Sequence, residues 1–116
     1  MDLKARADRR VKNAIDRIVR GYKPKKVILH GSFARGDHHE GSDVDLIIIK
    51  DTQDRFADRI EKVLEFCTGE VAVQPLVYTE AELERMLAEG NSFVQTALRE
   101  GVVVYEAQSS GREKPR

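Results

Sequence analysis

The chain has 116 residues, 41% of them hydrophobic and 34% charged, with 20 basic residues set against 20 acidic ones. That length holds one domain with a modest core, and the balanced charge gives no overall field to draw in DNA or an anionic membrane. One cysteine, Cys67, allows neither an intrachain disulfide nor a cysteine zinc cluster, and no apolar run approaches the roughly 20 residues of a membrane span.

The N-terminal stretch MDLKARADRRVKNAIDRIV lacks the apolar core of a signal peptide, so a protein of the reducing cytoplasm is expected. Ala7, Val11, Ala14, Ile15 and Ile18 recur at helical spacing, which predicts an amphipathic helix over the first twenty residues, ended by Gly21 and Pro24. KVILH, from Lys26 to His30, is a short apolar run suited to a buried strand. A polar loop with Gly31, Gly36 and Gly41 follows. Val44–Ile49 is then apolar on both faces, as expected of a central strand.

Phe56, Ile60, Val63, Leu64 and Cys67 form the apolar stripe of a further helix with Gly69 as its stop, and Asp51 and Asp54 are expected to cap a helix. Val71–Tyr78 reads as a strand in which Pro75 points to an edge or a bulge. Thr79 with Glu82 is a capping-box pattern before Leu83, Met86 and Leu87. A short helix over Ser92–Glu100, closed by Gly101, and a strand from Val102 to Tyr105 complete the series. Strands and helices alternate, so an α/β domain over residues 1–105 is expected, with residues 106–116 as a disordered tail that has nothing to bury.

The chemistry is concentrated in LHGSFARGDHHEGSDVDLIII, Leu29–Ile49. Side chains alternate along a strand, so Asp43 and Asp45 share one side and Val44 faces the other. Two carboxylates this close repel, and protonation or a cation relieves them. Oxygen ligands alone suit magnesium or manganese. The plainer reading is a Ser42-Asp43 turn with Asp45 in solvent. Gly31 lets a phosphate approach the backbone, Ser32 adds a hydroxyl at the start of a short FARG helix, and Arg35 can meet phosphate oxygens or a structural partner. The Gly-Lys-Ser/Thr of a Walker loop does not occur here. If the two strands are neighbours, the turn and the acids meet, and a nucleoside triphosphate needs both.

These residues resemble the signature of the nucleotidyltransferase superfamily that includes DNA polymerase beta: hG[GS] followed by DhD, in the fuller form GSxARGxxxxxSDxDL. The resemblance implies a small mixed sheet with helices packed against it, and transfer of NMP from an NTP, ATP being the expected donor, with Mg2+ or Mn2+. It implies that Gly31 and Ser32 hold the β and γ phosphates, with Arg35 and Ser42 alongside, and that Asp43 and Asp45 bind the metal. Such enzymes normally carry a third carboxylate about five residues before the Thr or Ser capping the next helix. Counting back from Thr79 gives Gln74, an amide that cannot act as a general base. Glu70, about 13 Å away along an extended strand, and Glu40 and Asp37 in the loop are the other acids available.

Some minimal members of the superfamily are antitoxins paired with a helical HEPN ribonuclease, which some of them neutralise by attaching AMP to it. The resemblance therefore implies a HEPN-type partner and transfer to a protein hydroxyl. Neutralisation by contact alone and phosphate-ester hydrolysis are the alternatives. Homo-oligomerisation is left open, and direct nucleic-acid binding has no strong support, since Lys23, Lys25 and Lys26 read first as a solvated turn. His38 and His39 read as solvated loop residues and Cys67 as core. Phe93, Val94, Ala97 and Leu98 fit either internal packing or a partner surface.

Overall fold

The computed structural model describes residues 8–108. Its elements are α1 (Arg9–Tyr22), β1 (Lys26–His30), α2 (Ser32–Arg35), β2 (Val44–Ile49), α3 (Phe56–Leu64), β3 (Val73–Tyr78), α4 (Glu80–Ala88), α5 (Ser92–Glu100) and β4 (Val102–Glu106). The four strands form one sheet in the order β3-β2-β1-β4. β1 runs antiparallel to β2 and β4, while β2 and β3 are parallel, so the sheet is mixed as expected.

The order explains the strand sequences. β2 lies inside the sheet, and Val44, Leu46, Ile47 and Ile48 are each 0% exposed, hence its unbroken apolar run. β3 is an edge strand, which tolerates the missing N–H of Pro75 opposite Leu46. One face of the sheet packs Val27, Leu29, Leu46, Ile48 and Val77 against Val11, Ile18 and Tyr22 of α1 and Val63 of α3. The other packs Ile28, Ile47 and Ile49 against Ala97 and Leu98 of α5 and Leu83 of α4. Each fully buried Ile or Leu contributes about 2 kcal/mol.

Several local expectations change. α1 starts where Asp8 accepts from the N–H groups of Arg10 and Val11, and it ends at Lys23, whose φ is 55°, so Gly21 is helical rather than a stop. A Cβ at Gly21 would overlap the Phe66 ring, which accounts for a glycine inside the helix. The expected helical segment through Ala7 and the tail from residue 109 lie outside the described residues. At the boundary set at residue 105, pairing with β1 continues through Glu106, and the Ala107 N–H donates to the Lys25 carbonyl at 2.9 Å.

α3 stops at Leu64, because the N–H groups of Phe66 and Cys67 reach back three residues, to Val63 and Leu64, and tighten the chain. Cys67 is therefore half-buried beyond the helix, and Gly69 sits in the turn that follows. The apolar stripe of α3 is core only in part. Phe56 and Leu64 are 41% and 42% exposed, and the buried residues are Val63 and Arg59. The Arg59 guanidinium donates to the carbonyls of Asp54 (2.9 Å) and Val77 (3.0 Å) and to both carboxylate oxygens of Glu82 (2.7 and 3.1 Å). Glu82 also completes the capping box with Thr79, so one guanidinium ties α3, β3 and α4 together. Arg55, not Asp54, is the N-cap of α3. Asp54 pairs with Lys62 at 2.7 Å, and Asp51 accepts from the Glu80 N–H at the start of α4. No helix among the described residues is long and apolar enough to cross a membrane.

Candidate active site

β1 delivers the chain to Gly31, whose φ of 77° and ψ of −156° lie in a region essentially restricted to glycine. The backbone turns there into α2, and the N–H groups of Ala34 and Arg35 both donate to the Gly31 carbonyl at 3.0 Å. The N–H groups of Ser32 and Phe33 precede these intrahelical bonds and face the start of the helix. Phe33 and Ala34 bury α2 in the core and fix the turn.

β2 pairs with β1 so that Asp45 lies opposite His30. A Cβ at Gly31 would collide with the Asp45 carboxylate, so the turn and the second aspartate are in immediate contact. In the parallel pairing with β3, Asp45 lies beside Gln74, and the Gln74 side-chain amide donates to Asp43 Oδ2 at 3.2 Å. The two aspartates and Gln74 therefore form one group at the ends of β2 and β3. Burial raises the Asp45 pKa above the ordinary carboxylate value. Attraction to His30 opposes that rise and repulsion from Asp43 adds to it. Burial in turn lowers the His30 pKa, which favours a neutral imidazole and weakens the attraction. A cation between the two carboxylates would relieve this unfavourable charge, and their oxygens suit magnesium or manganese. Among the described residues, no third His, Cys, Asp or Glu joins them in a cluster able to hold an ion, Glu70, Glu40 and Asp37 included.

A cleft of about 540 Å³ opens at this end of the sheet. His30, Gly31, Ser32, Arg35, Asp45 and Gln74 line it on one side, with Phe93, Thr96, Ala97 and Glu100 of α5 on the other. Arg35 is held by Asp37 at 3.2 Å and Glu100 at 3.7 Å. Ser42 is used by the loop: its hydroxyl accepts from the His39 N–H at 2.9 Å. His38 stacks on Phe33 with centroids 4.1 Å apart, and His39 accepts from the Gly41 N–H. Lys25 precedes and Lys26 begins β1, at the strand end opposite Gly31, and they pair with Asp51, Glu80 and Glu106. A second groove, of about 610 Å³, runs between α1 and β4, but apart from Lys12 and Asp16 its ionisable lining is only Tyr105.

Nothing in the one-letter pattern marked His30 or the α5 residues as parts of this cleft. His30 was a strand residue in an apolar run, and Phe93, Thr96, Ala97 and Glu100 lie 44 to 51 residues beyond the end of the motif. Their i, i+3, i+4, i+7 spacing is the only available signal, and it does not say which surface the helix faces.

The chain belongs to the polymerase beta nucleotidyltransferase family, whose model matches residues 13–110. It is 34% identical over 98 residues to a protein of Methanocaldococcus jannaschii named as a candidate protein adenylyltransferase, covering 80% of this chain and 89% of that one. Two solved structures share the fold. A candidate nucleotidyltransferase from Sulfolobus solfataricus superposes with a TM-score of 0.52 at 22% identity, covering 84% of this chain and 90% of that one. A toxin-antitoxin structure with AMP-PNP gives a TM-score of 0.54 at 23% identity, covering 84% and 74%. Membership of this family supports transferase activity.

Proposed function

We propose that the chain transfers AMP from ATP to a hydroxyl of a partner protein, as the antitoxin of a pair whose other member is a helical HEPN-type ribonuclease. One observation carries the reading: the glycine turn that suits phosphate stands in contact with the second aspartate of the D-x-D pair. The relative named for protein adenylyl transfer supports AMP and a protein acceptor, and the structural neighbour described as a toxin-antitoxin with AMP-PNP motivates the pairing.

Asp43 and Asp45 would hold Mg2+ or Mn2+, which when bound neutralises phosphate charge. Gly31 and Ser32 would hold the β and γ phosphates, and Arg35 lies within the same cleft. Ser42 would act by holding the loop that carries Asp43. In the transfer, the acceptor oxygen bonds to the α-phosphorus, the bond to the β-phosphate oxygen breaks, and pyrophosphate leaves. Gln74 cannot take the acceptor's proton, so that proton passes to water or to a base on the acceptor.

Incubation of the purified chain with ATP, magnesium and the product of the adjacent gene, followed by intact-mass measurement, tests this. An added AMP that disappears with Asp43→Asn is expected. No modification with any NTP, with manganese as well, overturns the transfer. A second reading follows from the amide at position 74: a weakened site that neutralises its partner by contact. Neutralisation that survives both Asp43→Asn and Asp45→Asn would favour it.

A further inference from the structure

Of the residues assigned to the triphosphate and metal, Gly31, Ser32, Arg35 and Asp45 line one side of the cleft, whereas Ser42 and Asp43 do not line it. The opposite wall is α5, which turns one face inward, Phe93 at its N-terminal end and Glu100 at its C-terminal end. Glu100 is engaged with Arg35, whereas Phe93 is 47% exposed although it lines the cleft. The ring of Phe93 meets the imidazole of His30 nearly perpendicularly, with centroids 5.8 Å apart and an interplanar angle of 79°. His30 immediately precedes the phosphate turn and lies opposite Asp45. The aromatic surface is thus fixed beside the site where a nucleotide's phosphates would sit, and it is left uncovered.

We propose that Phe93, held by His30, is the stacking platform for the nucleobase. This inference rests on the nucleotide reading of the site given above. A nucleotide carries an aromatic base tied to its phosphates, so a ligand anchored at Gly31 and Asp45 brings a flat apolar surface within the same cleft. A side-chain ring accepts any base by its π-face, with larger purines covering more of it. Phe93 then determines affinity for the nucleoside portion and leaves the phosphate contacts to the sheet side. His30 is a positioning residue, acting through the ring it holds.

Calorimetric titration of the full chain with ATP and with inorganic triphosphate, both with magnesium, separates the two halves of the site. Phe93→Ala is expected to weaken ATP binding about tenfold or more while leaving inorganic triphosphate unchanged, and Phe93→Tyr is expected to restore ATP binding. Because Phe93 lies at the surface of α5, a thermal melt of Phe93→Ala near that of the wild type is expected. Equal losses for ATP and triphosphate, or no loss for either, overturn the stacking role. Wild-type protein that binds triphosphate but gains nothing from the nucleoside overturns it while sparing the phosphate site. Wild-type protein that binds neither ligand overturns both readings.

Discussion

Replacing Gly31 by alanine should damage the site in two separable ways. The backbone at φ 77° and ψ −156° is open almost only to glycine, and holding an alanine there costs about 1–3 kcal/mol. The added Cβ would also overlap Asp45 Oδ2 and stand 3.1 Å from Cγ and 3.3 Å from Cβ of the same side chain. The turn can relax only if the Asp45 carboxylate leaves its place beside it. Gly31→Ala should therefore unfold at least about 4 °C lower, the shift expected per kcal/mol in a domain of this size, and bind magnesium-ATP about tenfold or more weakly. Gly90→Ala is the control: Gly90 has the same φ of 77°, but a Cβ there meets nothing within 4 Å. It should lose stability without losing ATP. Thermal melts and calorimetric titration read both effects. Wild-type ATP affinity in Gly31→Ala, or an equal loss in Gly90→Ala, would refute the contact between turn and acid as the basis of binding.

Asp45→Asn should raise the melting temperature in the absence of divalent ions. The native pKa of Asp45 is raised, so above that pKa the fold carries an unfavourable charge that asparagine removes. The gain should grow as pH rises through the raised value and vanish below the ordinary aspartate value of about 3.9. A variant less stable than the wild type at neutral pH would contradict this. Gln74→Glu replaces the amide donor of Asp43 with a third carboxylate. It should melt lower without metal and show a larger magnesium-induced rise than the wild type. An unchanged rise would mean that position 74 does not meet the ion. Glu82→Gln should destabilise the protein by about 1–3 kcal/mol at neutral pH, because it weakens the acceptor of a buried guanidinium. Hydrogen bonds from Arg59 lower the Glu82 pKa, so this contribution is present above about pH 4.3 and lost as pH falls through the lower native value. Urea denaturation across pH should show the difference between variant and wild type closing in acid.

Local patterns made most of the elements legible. The apolar runs and lengths of KVILH and VDLIII located β1 and β2, and the spacing from Thr79 located Gln74 beside the acid pair. Long-range choices were not legible. Gly21 reads as a helix stop because glycine usually ends helices, but here it makes room for Phe66, forty-five residues away. Arg59 carries no signal in the sequence, yet it is buried because acceptors on α4, β3 and the loop before α3 satisfy its donors. The wall of the cleft formed by α5 depends on how that helix packs on Ile28 and Ile47, which no local pattern encodes. The motif therefore marked the phosphate and metal side of the site, and tertiary packing supplied the other side.

Calorimetric titration of ATP into the wild type and Asp43→Asn, each with and without magnesium, tests most directly whether turn and acids form one nucleotide-metal site. Wild-type binding that requires magnesium and is lost in Asp43→Asn is the expected result. ATP binding that is indifferent to magnesium and to the substitution, or no binding by the wild type, would contradict it.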